Sequence, residues 1–183
     1  RSVKYFPYGL HYLGVKSGEK VVIISETRAD WTMADLAILC LGGVVVPIYT
    51  TLTPPQMKYI IQDSDAKVVI WSSDDIWQKL EKIRQELSGV EHYITFETQS
   101  PEGTFTKDQI IERGKAAMNE DAGFLEASIS SIKPDDLFSV MYTSGTTGQP
   151  KGVMLTHNNL ISNAAAVASL LPVGPEDIAF SWL

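Results

Sequence analysis

The sequence predicts an α/β fold, in which a largely parallel sheet carries helices on both faces. Short runs rich in valine and isoleucine recur along the chain, and stretches with helical periodicity separate them. The strand runs are apolar at nearly every position, which is typical of parallel strands buried on both faces. In such sheets ligands bind outside the carboxyl ends of the strands, so we expect functional residues in the loops that follow them.

Strands are predicted wherever a β-branched or aromatic run is bounded by turn residues. The first four are residues 20–25 (KVVIIS), 43–49 (GVVVPIY), 66–72 (AKVVIWS) and 92–96 (HYITF). Two more lie at residues 136–143 (DLFSVMYT) and 152–157 (GVMLTH), and the closing run AFSWL is typical of another strand. Because no initiator methionine opens the sequence and a strand-like run closes it, we expect a segment of a longer protein.

Helical patterns fill the intervals between these strands. The clearest begins at Thr53, where TPPQ supplies a capping box and prolines in the first turn. Met57, Ile60 and Ile61 then give this helix one apolar face. The other helical stretches are residues 28–41, the apolar stripe of residues 76–87, the capping-box segment that begins at Thr106, and residues 158–171. Residues 97–105 and 130–136 are predicted to be solvent loops.

Composition excludes several classes of protein. With 183 residues, 44% hydrophobic and 20% charged, the chain is typical of one globular domain or a piece of a larger one. The net charge of −7, without any block of lysine and arginine, argues against a nucleic-acid partner. The longest apolar run, residues 36–48, is interrupted by two glycines and is too short to span a bilayer.

Cysteine and histidine give no sign of a metal site. Cys40 is the single cysteine and lies in an apolar stretch, so we expect it in the core rather than in a disulfide or a cysteine zinc site. His11, His92 and His157 are far apart and lack the spacing of metal ligands. No protein-bound metal is predicted.

The segment YTSGTTGQPKG, residues 142–152, has the composition of a phosphate-binding loop. It holds four aliphatic hydroxyls, three glycines and one lysine, and it follows the predicted strand 136–143. Glycines allow backbone N–H groups to turn inward, hydroxyls donate hydrogen bonds without charge, and the lysine adds a mobile positive charge. We therefore predict a phosphate-binding loop at residues 143–152, called the 143–152 loop below.

This loop is not a Walker A motif. Gln149 follows Gly148, and Gly152 follows Lys151, where a Walker A motif requires lysine and then serine or threonine. A predicted strand, rather than a helix, comes next. The alternative is an ordinary hairpin turn, since glycine, serine and threonine dominate turns in general.

The order TSGTTG followed by PKG resembles the phosphate-binding signature of the adenylate-forming, or AMP-binding, enzyme superfamily. Two further stretches, RADWTMADLAILCLGGVVVPIY and TPPQMKYIIQDSDAKVVI, are similar to the early part of long-chain fatty-acyl-CoA synthetases, as is TSGTTGQPKGVMLTHNNL. The resemblance extends over essentially the whole chain. In the first of these stretches we assign Trp31, Leu36, Leu39 and Leu41 to helix packing rather than to substrate contacts.

The resemblance implies a fold, a domain and a reaction. Residues 1–183 would be an incomplete amino-terminal AMP-binding domain, part of the large N-terminal domain of an adenylate-forming enzyme, without the C-terminal lid domain. A carboxylate would attack the α-phosphate of ATP to form acyl-adenylate and pyrophosphate, and coenzyme A would then take the acyl group. ATP, Mg2+ bound through the nucleotide, coenzyme A and a long-chain fatty acid are the small molecules implied.

The resemblance also assigns residues to the nucleotide. Around the triphosphate it places Thr143, Ser144, Gly145, Thr146, Thr147 and Gly148, with Lys151 assisting from the far end of the loop. Pro150 would stiffen the exit from the turn, and His157 would be a helix-start residue. The adenine contacts, the magnesium-associated acid and the catalytic lysine would follow Leu183, so no catalytic residue is assigned and the chain alone is expected to be inactive.

Other functions stay open at this point. Within the superfamily they are short-chain, medium-chain or aryl-CoA ligases and adenylation domains that load a carrier protein. Outside it, the loop could belong to a non-catalytic module that binds nucleotide or serves as an interaction surface. The absence of a signal or membrane span favours the cytoplasm, and the implied substrates are compatible with peripheral membrane contact and with an oligomer.

Overall fold

The computed structural model describes residues 2–143, 148–171 and 174–178 of the chain. In chain order, its elements are α1 (Ser2–Tyr12), β1 (Lys20–Ile24), α2 (Ala29–Cys40), β2 (Val44–Ile48), α3 (Pro54–Asp63), β3 (Val68–Trp71), α4 (Asp74–Glu81), a 3-10 turn (Arg84–Glu86), β4 (His92–Thr95), β5 (Phe105–Thr106), α5 (Lys107–Glu120), α6 (Phe124–Ser131), β6 (Leu137–Thr143), β7 (Lys151–Thr156) and α7 (His157–Leu170). The strand expected in the closing run AFSWL lies outside the described residues.

The described strands form one sheet in the order β5-β4-β3-β1-β2-β6-β7. Every neighbouring pair is parallel except β6 and β7, which are antiparallel. The prediction of a largely parallel α/β sheet is therefore confirmed. The antiparallel pair lies at one edge of the sheet, and it is the pair that the 143–152 loop joins.

Two cores lie on opposite faces of the sheet because successive residues of a strand point to opposite sides. On one face Val21, Ile23 and Ile70 pack with residues of α1, α2 and α5. On the other face Val22, Ile24 and Val69 pack with residues of α3 and α4. Strands that are buried on both sides explain the continuous apolar runs in the sequence, and the helices on both faces were expected.

The predicted helices are confirmed where a capping box precedes them. Capping boxes are present at Thr53 of α3 and at Thr106 of α5, as predicted. A third, at Thr156, precedes α7, whose first residue is His157. The stripe of residues 76–87 is not one helix: α4 ends at Glu81 and a 3-10 turn follows, because Ile83 and Leu87 reach the same core by the tighter turn.

Helices α1 and α6 were not predicted. The sequence of α1 contains Pro7 and Gly9, which are poor helix formers. Its helix is explained by packing, since Phe6 and Leu10 are fully buried against α2 and α5. Tertiary contacts therefore override the local preferences of this segment.

Candidate functional site

The 143–152 loop connects β6 to β7 at the edge of the sheet. Thr143 ends β6 and pairs with Lys151, which begins β7, and the next pair along the ladder is Tyr142 with Gly152. The predicted order of strand, loop and strand is therefore confirmed. Ser144, Gly145, Thr146 and Thr147 lie outside the described residues, so their predicted roles stay predictions.

Most of the described residues of the loop are open to solvent, and Pro150 is partly buried. Thr143, Gly148 and Lys151 are all exposed. Lys151 forms no salt bridge with the part of the chain that the structure describes. A lysine whose ammonium group is not committed to a carboxylate can meet an anionic ligand without first breaking an ion pair.

Backbone conformation explains one glycine of the loop. Gly148 has a φ of 95°, a left-handed value that side chains with a Cβ adopt at a cost. A Cβ placed on Gly148 would meet no described atom within 4 Å. The left-handed turn of the backbone thus explains the glycine at this position.

The loop lies at the carboxyl edge of the parallel strands. β6 is parallel to β2, which is parallel to β1, so the residues that follow these strands emerge on the same edge. Lys79 of α4 holds the neighbouring loop after β2, where its Nζ donates to the carbonyl oxygens of Thr50, at 2.6 Å, and Leu52, at 3.2 Å. This edge is where ligands bind in open parallel sheets.

A charged network occupies the other half of the same edge. Ser72, after β3, donates its hydroxyl to Glu26 Oε2 at 2.5 Å, and this hydrogen bond lowers the pKa of Glu26. Arg28 bridges Asp30, at 2.9 Å, and Glu97, at 3.0 Å. The network ties the ends of β1, β3 and β4 together, and no sequence pattern pointed to it because the Glu26–Ser72 and Arg28–Glu97 partners are far apart in the chain.

Tyr142 anchors the first stem of the loop. Its Oη donates to Asp63 Oδ2 at 2.6 Å, and the ring meets that of Tyr59 edge-on, with centroids 6.5 Å apart. Burial, together with the neighbouring Asp63 carboxylate, raises the pKa of Tyr142, so the phenol stays protonated and remains a donor. Sequence reasoning did not give Tyr142 a role. An aromatic residue directly before a glycine-rich loop was the available signal.

Two predictions of burial need correction. Leu36, assigned to helix packing, is 46% exposed. Cys40, expected in the core, is partly buried, and burial raises its pKa. Both side chains line an open groove of about 400 Å³ between α2, α6 and the start of α7. Trp31 and Leu39 pack against the core, and Leu41 is buried, as predicted.

The structure gives two further findings on metals and membranes. Among the described residues, no three histidine, cysteine, aspartate or glutamate side chains cluster as a metal site would require. In the same residues, no helix combines the length and the apolar character needed to cross a bilayer.

The chain is similar in sequence to one protein family and to several of its curated members. The sequence profile described as AMP-binding enzyme matches residues 2–183. The chain is 35% identical over 153 residues to the long-chain-fatty-acid–CoA ligase FadD15 of Mycobacterium bovis, covering 84% of this chain and 24% of the relative. It is 31% identical over 190 residues to fatty acyl-CoA synthetase B of Dictyostelium discoideum, covering 98% of this chain and 27% of the relative. The chain thus spans about a quarter of the length of these curated relatives.

The fold of this chain is also similar to those of solved CoA ligase and synthetase structures. The crystal structure of the anthranilate CoA ligase AuaEII in complex with anthranoyl-AMP matches with a TM-score of 0.74 and 27% identity, covering 90% of this chain and 30% of that one. A Mycobacterium tuberculosis fatty acyl CoA synthetase matches with a TM-score of 0.71 and 26% identity, covering 92% of this chain and 30% of that one.

Proposed function

The chain belongs to the AMP-binding enzyme family, and on that premise we propose that it is part of an ATP-dependent long-chain fatty acid–CoA ligase. The protein would activate a fatty acid as its acyl-adenylate and transfer the acyl group to coenzyme A. The names of the curated relatives, which are fatty-acid ligases and synthetases, support the choice of substrate.

The observation that carries the proposal is the placement of the 143–152 loop. Thr143 and Lys151, near its two ends, are paired and exposed at the carboxyl edge of the sheet, and Gly148 takes the left-handed conformation that turns the backbone. Hydroxyl and N–H donors would form a suitable cradle for phosphate oxygens together with Lys151, which has no salt bridge to the described residues. We assign Thr143, Ser144, Gly145, Thr146, Thr147, Gly148 and Lys151 to the triphosphate of ATP.

These donors would act on the first chemical step. A carboxylate oxygen of the fatty acid attacks the α-phosphorus, the bond from that phosphorus to the bridging oxygen breaks, and pyrophosphate leaves with the electron pair. Negative charge builds on the departing phosphates, so donors already in place lower the barrier without reorganisation. In the second step the sulfur of coenzyme A, which gives up its thiol proton to solvent, attacks the acyl carbonyl carbon. The bond from that carbon to the phosphate oxygen breaks, and AMP leaves with the electron pair.

The remaining parts of the machinery belong to the proposal as well. Mg2+ would arrive on the phosphates of ATP and neutralise part of their charge. We propose that residues 1–183 are an incomplete amino-terminal domain, and that a C-terminal lid domain bears the catalytic lysine. A cytoplasmic protein with peripheral access to membrane-derived fatty acids fits these substrates, and self-association is compatible with them.

An aryl-CoA ligase is the second candidate, and one observation favours it. The solved structure of an anthranilate CoA ligase matches this chain at 27% identity with a TM-score of 0.74. The two candidates share the adenylation chemistry and differ in the acid they accept. Competition between palmitate and anthranilate in the intact protein separates them.

The test of the proposal is exchange of labelled pyrophosphate into ATP by the intact protein. We expect exchange that depends on a long-chain fatty acid, and a Thr146→Ala/Thr147→Ala variant with kcat/KM for ATP lower by about 10²-fold, since each lost donor to a developing charge is costly. Thr98→Ala is the matched control, because it removes the same hydroxyl from an exposed position outside the loop. Exchange that ignores the fatty acid, or a loop variant that behaves as the control does, would contradict the proposal.

A further inference from the structure

The stem of the 143–152 loop has two different faces. Directly opposed residues of an antiparallel pair point to the same side of the sheet, and neighbours along a strand point to opposite sides. Thr143 and Lys151 therefore share one face, and Tyr142 and Gly152 share the other. The first face carries proposed ligand contacts, whereas the second faces the core that α3 and α4 cover.

On that second face the phenol of Tyr142 is held by a residue 79 positions earlier in the chain. Its Oη donates to Asp63 Oδ2 at 2.6 Å. Tyr59, one turn earlier on the same helix, supports the ring edge-on. Helix α3 is itself fixed, since Met57, Ile60 and Ile61 are almost fully buried.

Asp63 is poorly placed for its own helix. It is the last residue of α3, where the partial negative charge of the helix end repels a carboxylate. Local helix stability therefore does not explain an aspartate at this position. The hydrogen bond from Tyr142 does, because it gives the carboxylate a donor from another element.

Gly152, in the second stem strand, allows the Tyr142 ring to approach closely. A Cβ at this position would lie 2.8 Å from Cγ1 of Val140 and 3.2 Å from Cζ of Tyr142. The absence of a side chain thus lets the Tyr142 ring lie close to the second stem strand. The ring contacts both stems of the loop at the point where they leave the sheet.

We propose that Tyr142 and Asp63 are positioning residues that fix the stems of the 143–152 loop for the triphosphate. The Tyr142–Asp63 hydrogen bond and the Gly152 contact set the direction in which Thr143 and Lys151 leave the sheet. The inference rests on the proposed function, since it assumes that the loop holds ATP. Neither residue is assigned a contact with the nucleotide.

The first test is steady-state kinetics of pyrophosphate exchange in the intact protein with Tyr142→Phe, Asp63→Ala and the double variant. We expect each single change to raise KM for Mg-ATP by about 5–10-fold and to alter kcat by less than about threefold. The expected size of the KM effect is that of one lost hydrogen bond to a charged group. The double variant should be no worse than either single one. Asp63→Asn, which keeps an acceptor for the phenol, should restore most of the affinity.

Tyr8→Phe is the matched control. It removes the same atom from a phenol that donates to the carbonyl oxygen of Ala122 at 2.9 Å, beside the core on the opposite face of the sheet. A structural role alone would lower thermal stability and leave KM for Mg-ATP unchanged. KM within about twofold of wild type for both single variants, or effects that multiply in the double variant, would overturn the inference.

A second measurement does not depend on activity. Amide hydrogen exchange at Thr143, Lys151 and Gly152 should be faster in both single variants and unchanged in Tyr8→Phe. If the wild-type protein shows no exchange of pyrophosphate, the proposed function fails, and this measurement still decides whether Tyr142 and Asp63 hold the stems. Unchanged protection at these three amides would overturn the inference in either case.

Discussion

At the scale of the residue, burial decides what a polar group does in this chain. The hydroxyl of Tyr142 is half-buried and finds Asp63, and Ser72 is fully buried and finds Glu26. Asp35 has a different environment: it lies on α2 beside Met33 and Ala34, and burial raises its pKa from 3.8 to about 6. Such a carboxylate weakens the folded state whenever it is charged.

We expect Asp35→Asn to stabilise the chain at neutral pH. The folded pKa lies above the unfolded value, so protonated Asp35 carries no penalty at low pH, and the penalty grows as pH rises from about 4 through about 6. Above that window the Asp35→Asn protein should have an unfolding free energy higher by about 1–2 kcal/mol. This value is smaller than the full pKa difference would give, because the side chain is partly exposed to solvent. Thermal unfolding at about pH 4 and about pH 7.5 measures this difference.

The control for this change is Asp135→Asn, which makes the same replacement at an exposed loop position. It should move the unfolding temperature little at either pH. Equal stabilisation by Asp35→Asn at both pH values would show that the effect does not come from the charge of Asp35.

At the scale of the element, α1 and α5 cross with their backbones in contact. A Cβ on Gly114 would lie 1.9 Å from the carbonyl oxygen of Tyr5, and a Cβ on Gly9 would lie 2.2 Å from the carbonyl oxygen of Ile110. Neither glycine has a positive φ, so the reason for glycine is close approach. Sequence analysis found α5 through its capping box, but α1 has no such signal and depends on this crossing.

Replacing Gly114 by alanine should therefore destabilise the fold. Alanine favours a helix over glycine by up to about 1 kcal/mol, yet the methyl group has no room and must push α1 away, so we expect a net loss of about 1–3 kcal/mol. Urea unfolding followed by circular dichroism measures this. Gly89→Ala is the comparison, since its Cβ would have Asp65 Oδ1 as its nearest contact at 3.9 Å and should be tolerated. Unchanged stability of the Gly114→Ala protein would contradict the close approach of α1 and α5.

At the scale of the whole molecule, the sheet is covered unevenly from one edge to the other. The helices over β1 to β4 bury two cores, whereas apolar side chains of β7 and α7 face solvent. Met154 is 67% exposed and Ile161 is 62% exposed, and large exposed apolar surface is typical of interaction sites. This part of the molecule has the character of an interface.

We expect the 183-residue chain, produced by itself, to self-associate through α7. Ile161→Glu with Leu170→Glu should shift it toward monomer, because these side chains are exposed and apolar. Light scattering after size exclusion over a range of concentrations gives the mass. Asn163→Glu with Ser169→Glu adds the same charge to the same helix without removing apolar surface, and monomer in that control would point to charge repulsion instead.

The sequence by itself determined the class of fold and the place of the loop. Continuous Val and Ile runs predicted a parallel sheet because only strands covered on both faces have them, and the capping boxes at Thr53 and Thr106 marked two helices through local hydrogen bonds. The tertiary structure decided what depends on distant residues: the Tyr142–Asp63 contact, the Gly9 and Gly114 crossing, and the exposure of Leu36. Sequence patterns such as capping boxes and apolar runs reflect interactions between residues that are close in the chain. Contacts between residues far apart in the chain form only when the sheet brings them together.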